Sequence, residues 1–169
     1  MLLVYVPKLT NRIGYTLNVV LGNVLHCPFE ITTDQPTFLA HQGPQLCYGP
    51  ERIGEDAVWI KSTQLLFQTT VEEQEAVYAV CDGLPVLFPV YGRGLDFRFD
   101  LLSATFFMVS RYEEYLPHRT DEHGRFTHQE SIAFREGFLR KPVVDLWAQL
   151  LATRLAERFA DFQLPKHTF

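Results

Sequence analysis

The first thirty-three residues place a strand, a helix and a second strand in succession, and that order constrains the fold more than any other feature of the chain. Leu2 to Val6 is a short apolar run halted by Pro7, as expected of a buried strand. Thr10 is a good N-cap. Ile13, Leu17, Val20, Leu21, Val24 and Leu25 then recur at helical spacing until Pro28 ends the pattern. A strand over residues 29–33 follows. A helix inserted between two strands predicts an α/β arrangement, with α+β as the alternative.

Downstream, residues 43–88 read as β-rich. Residues 45–48 and 57–60 have the character of short strands, and residues 65–69 form another apolar run. Residues 76–81 and 84–90 flank Asp82-Gly83, the dipeptide that type I′ hairpin turns prefer. Pro85 and Pro89 predict that the second hairpin strand is an edge or is interrupted. Gly92 and Gly94 mark a break, after which Asp100 caps a helix. Leu101, Thr105, Met108, Val109 and Tyr112 line one face of that helix, and Leu102 and Phe106 widen it, so it is buried on more than one side until Pro117 stops it. A loop runs to about Gln129. A last amphipathic helix starts with Pro142 at its first position and carries Val143, Leu146, Trp147, Leu150, Leu151, Leu155 and Phe159. The expected architecture is a mixed β-sheet with a β-hairpin, packed by about three main helices.

A chain of 169 residues suits one domain, over residues 1–162, with 163–169 as a tail or the start of a linker. A globule of this size buries roughly 70% of its unfolded-chain surface. The net charge of −5 and the lack of a basic run argue against nucleic acid as a partner. No window approaches the ~18 apolar residues of a membrane span, and the apolar start is too short for a signal peptide, so a cytoplasmic location is expected. Cys27, Cys47 and Cys81 are odd in number and form no CxxC pair, which points to reduced, mostly buried thiols. The 14 Phe and 7 Tyr read as an aromatic core, with Trp59 and Trp147 among its members.

The ionisable residues concentrate after the central helix. His118, His123 and His128 share a loop with Asp121 and Glu122. A spacing of five turns a helix by about 500°, about 140° out of register, so only an irregular loop brings all three to one metal ion. A solvated polar loop is the simpler reading, and a metal site on these histidines is the alternative. Arg111 and Glu114 are spaced to pair on one helix face, while Glu113 is free to reach Arg119 or Arg125. Neighbouring carboxylates on one helix rarely straddle a substrate as a glycosidase pair must. TNRIG at the first helix lacks a phosphate-binding glycine pattern, and no serine has a GxSxG context.

The segments GLPVLFPVYGRG, FDLLSATFFMVSRYEEYLPHRTDEHGRF and GFLRKPVVDLWAQLL, together with the opening MLLVYVPKLTNRIGYTLNVVL and YGPERIG, resemble the N-terminal domain of bacterial polysaccharide-deacetylase-like proteins. RYEEYLP followed by DEHGRF is the most specific part. In that family the domain precedes a catalytic domain similar to metal-dependent carbohydrate deacetylases. The paired aspartates and HxxxH-type motif of such catalytic domains are not in these residues, so no catalytic or metal residue carries over. The resemblance implies a non-catalytic accessory domain, without a cofactor of its own, in a protein of carbohydrate metabolism. Its partner would be a downstream catalytic domain of the same polypeptide, and an oligomer of identical chains is compatible with it. It would pack on that domain or shape its substrate cleft. The functional surface is expected over residues 111–126, with Arg111 and Glu114 orienting the loop and His123 and Arg125 as its exposed contacts. The alternatives are an independent small enzyme built on the His118–His128 loop and a carbohydrate-binding module stacking sugars on exposed aromatics.

Overall fold

The computed structural model describes residues 1–165. Its centre is a four-stranded parallel sheet of β1 (Leu2–Tyr5), β2 (Phe29–Thr32), β3 (Gln45–Gly49) and β4 (Val58–Lys61), ordered β2-β1-β3-β4. Parallel neighbours need crossovers, and helices supply two of them. The first is α1 (Asn11–Leu17), capped by Thr10 and continued by a π-helical stretch, Asn18–Val24, and the second is α2 (Gln35–Ala40), capped by Asp34. Every residue of β3 is buried, as expected of a central parallel strand covered on both faces.

Alternation along the strands sorts the core into two layers. Leu2, Val4, Leu46, Tyr48, Val58 and Ile60 face the larger one, against α1, α3 (Leu101–Val109) and α5 (Val143–Arg158). Leu3, Tyr5, Cys47 and Trp59 face the smaller one, which Phe38 of α2 closes. The two tryptophans are core residues as expected.

The hairpin forms where Asp-Gly indicated. β5 (Tyr78–Cys81) and β6 (Leu84–Leu87) pair antiparallel, and Asp82 and Gly83 hold φ of 50° and 76°, the left-handed pair that a type I′ turn requires. It is a separate two-stranded sheet, so parallel and antiparallel pairing are both present in an α/β fold. Pro85 faces Val80, one pair beyond the Cys81–Leu84 pair that closes the turn, where an antiparallel ladder asks for no N–H. The indole Nε1 of Trp147 donates to the Pro85 carbonyl at 2.9 Å, tying the hairpin to α5.

Several details differ from expectation. The apolar run over residues 65–69 lies in the stretch read as β-rich but forms no strand. Leu65–Phe67 is a 3-10 turn whose carbonyls are taken by Thr10 Oγ1 (to Leu66) and Arg12 Nη1 (to Leu65). The central helix ends at Val109, not near Pro117. Arg111 turns left-handed (φ 52°) and Tyr112–Tyr115 resumes as a 3-10 helix. That break swings Tyr112 back onto Phe106 and Phe107, where its hydroxyl donates to the Glu72 carbonyl and accepts from the Glu72 N–H. Pro142 is the cap residue of α5, one position before that expected. Phe162 and Leu164 pack on the main core, while residues 166–169 of the expected tail lie outside the described residues. Among the described residues no helix is long and apolar enough to cross a membrane.

The thiols follow their surroundings. Cys27 and Cys47 are buried, and burial pushes the Cys47 thiol up to about 11. A thiol reagent at mildly alkaline pH is therefore expected to modify Cys81 first, and Cys27 and Cys47 only on unfolding. Rapid native-state labelling of Cys47, read by peptide mass spectrometry, would contradict the packing around it.

Candidate functional site

The stretch after α3 is positioned from its root. Asp100, fully buried, caps the helix by accepting from Ser103 N–H at 3.0 Å, and it also accepts from Thr63 N–H, Thr63 Oγ1 and Tyr48 OH. Burial raises its pKa, against the pull of those donors. The helix it anchors is buried at all of its first seven residues, so its end is a rigid platform.

Two cavities open beside that end. The first, about 230 Å³, lies between Met108, Arg111, Glu114, His128 and Leu139. The second, about 280 Å³, lies between Gln74, Glu75, Leu116, His118, Glu130 and Arg135. Phe107, Glu113 and Phe126 line both, so these three side chains stand between two adjoining cavities, together called the Glu113 groove.

Glu113 reaches neither Arg119 nor Arg125. Its Oε1 accepts from the Ile132 N–H at 2.8 Å, at the start of α4 (Ile132–Arg135). A helix start has free N–H groups that need acceptors. Ser131 Oγ supplies one by accepting from Phe134 N–H, and Glu113 supplies another. Burial raises the Glu113 pKa, partly offset by the Ile132 N–H and the nearby Arg135 charge and reinforced by Glu114.

The expected surface residues divide into two pairs. Arg111 and Glu114 line the groove and form an ion pair with each other, across the left-handed break rather than along one continuous helix face. His123 and Arg125 line neither cavity. They belong to a small turn organised by Asp121, whose Oδ1 accepts from both their N–H groups at 2.9 Å and whose Oδ2 accepts from Arg125 Nε. The Arg125 N–H leads the donors that hold the Asp121 carboxyl below its usual value. A bridge between Thr120 and Phe126 closes this turn, and Gly124 takes its positive φ of 74°.

The three histidines are not brought together. His118 lines the second cavity, its Nδ1 is 2.7 Å from the Leu116 carbonyl and its ring meets the edge of Phe126. His128 lines the first cavity and packs edge-on against Phe134. His123 stands at the turn beside Glu122. No group of three His, Cys, Asp or Glu side chains among the described residues is arranged to hold a metal ion.

Glu113 is the residue that sequence reasoning placed wrongly. The available signal was Ser131 before the apolar pair Ile132-Ala133, a helix-start pattern that calls for an acceptor. Comparison with known proteins adds one result. No curated protein and no solved structure matches the chain. A family model does match, over residues 2–160, and so the chain belongs to the family of unknown function DUF7033.

Proposed function

We propose that this chain is a non-catalytic accessory α/β domain of a longer polysaccharide-deacetylase-like protein, and that it contacts the catalytic domain through the face around residues 111–139. The observation that carries the contact surface is apolar exposure beside the groove. Tyr115, Phe134 and Leu139 are 69%, 45% and 48% exposed, on segments braced by Glu113, Ser131 and the core. Exposed aromatic and aliphatic side chains on a rigid frame are what a protein interface uses as anchors. The ionisable side chains of this face meanwhile serve internal bonds: Asp121 organises its turn, Arg111 pairs with Glu114, and Glu113 holds Ile132. The association with a deacetylase comes from the resemblance of RYEEYLP and DEHGRF to that family.

The test is hydrogen–deuterium exchange on this chain alone and on the protein read through its native frame past Phe169. Slower amide exchange over residues 111–139 in the longer protein is the expected result, together with a paired-aspartate and HxxxH-type motif in the added sequence. Equal exchange in both proteins would remove the contact. An added sequence without those motifs, or a frame that stops near Phe169, would remove the deacetylase association.

A further inference from the structure

The groove contains a carboxylate whose burial is only partly compensated. Glu113 is half-buried and receives one hydrogen bond, from Ile132 N–H to Oε1, and it has no ion-pair partner among the described residues. Its other oxygen has no donor from those residues. Around it the groove carries three further carboxylates, Glu75, Glu114 and Glu130, against two guanidinium groups. Arg111 is already engaged by Glu114, and Arg135 acts on Glu113 through its charge without an ion-pair contact. Phe107 and Phe126 line both cavities together with Glu113.

We propose that the Glu113 groove is a binding site for a small organic cation, a primary ammonium or guanidinium group on a short apolar stem. The charged head donates to the free oxygen of Glu113 and the stem lies along Phe107 and Phe126. A half-buried carboxylate facing a cavity gains most from a donor that also brings positive charge, because a charge-assisted hydrogen bond is roughly twice as strong as a neutral one. Aromatic rings in the lining of the same cavities add attraction for the same charge. An anion would meet four carboxylates against two guanidinium groups, and a neutral ligand would add nothing to the charge that Arg135 already sets against Glu113. His118 and His128 line one cavity each. This site does not depend on the partner-domain reading and is tested on the chain by itself.

The experiment is an NMR titration of the chain at neutral pH with phenethylammonium, using phenethyl alcohol and phenylpropionate as neutral and anionic counterparts. The expected result is a saturable shift of the Ile132 amide with the ammonium, binding at least about tenfold tighter than either counterpart. Glu113→Gln retains an oxygen to accept from Ile132 N–H and is expected to bind the ammonium about tenfold more weakly, with the amide spectrum outside the groove unchanged. Equal affinity for the ammonium and the alcohol, no saturable shift at Ile132, or undiminished binding by Glu113→Gln would each overturn the proposal. The comparison of the three ligands on the unmodified chain holds even if the variant proves unstable.

Discussion

Replacing Asp100 with alanine is expected to lower the unfolding free energy by about 3–5 kcal/mol, a large effect for one side chain. Two losses combine. The helix loses its N-cap, worth about 1 kcal/mol. Thr63 N–H, Thr63 Oγ1 and Tyr48 OH lose the carboxylate oxygen they share, in a place water does not reach, at about 1–3 kcal/mol for an unsatisfied buried donor. Asp100→Asn should cost less, since its amide oxygen still accepts on one side while its NH₂ faces a donor on the other. Urea denaturation with an unchanged m-value checks both. A loss below about 1 kcal/mol for the alanine variant would mean that the Asp100 cluster does not hold α3 in place.

The pH dependence of the same residue has a definite sign. Burial raises the folded-state pKa of Asp100 above its unfolded value. The part of its contribution that depends on pH is therefore fully present below the ordinary carboxylate range and is lost as pH rises through the raised folded value. The stability difference between the native protein and Asp100→Asn should shrink across that acidic window as pH increases. A difference that grows with pH would show that the donors around Asp100 outweigh its desolvation.

How much of the fold was legible in the residues depends on the range of the interaction that decides each element. The first βα unit and the hairpin are set by local chemistry: Thr10 caps α1, Pro7 and Pro28 punctuate, and Asp82-Gly83 adopts the positive φ angles that few other residue pairs reach readily. α2 and α4 have six and four residues, too short to show a period, and neither was expected; their caps, Asp34 and Ser131, are seen in the structure. The end of α3 was not legible. Arginine has no preference for the left-handed region, and Arg111 is held there by its neighbour Tyr112, which packs back on Phe106 and Phe107. The site divides the same way. The Arg111–Glu114 pair is three residues apart and could be read directly. Glu113 is bound to Ile132, nineteen positions away, and no local pattern specifies that contact. Strand order, β2-β1-β3-β4, likewise belongs to packing rather than to any one segment.

Trp147→Ala is the second large effect, expected to cost about 3–5 kcal/mol. Trp147 is fully buried on α5, tilts against Phe99 with ring centroids 5.9 Å apart and donates its indole N–H to the Pro85 carbonyl. That carbonyl belongs to a hairpin strand that pairs with β5 alone, so the indole satisfies a group the ladder leaves open. Trp147→Phe separates the two contributions: it keeps an aromatic ring against Phe99, removes the donor, and should cost about 1–3 kcal/mol. The loss should also reach the groove. Tyr78 of β5 stacks on Phe138, nearly parallel at 8° and 5.8 Å, next to Leu139 of the groove wall. The hairpin that Trp147 holds thus supports the segment after α4. Faster amide exchange at residues 132–139 in Trp147→Phe, with exchange in the parallel sheet unchanged, is the expected signature. Stability equal to that of the native protein would show that the indole–carbonyl bond contributes nothing, and unchanged exchange at 132–139 would separate the groove from the hairpin.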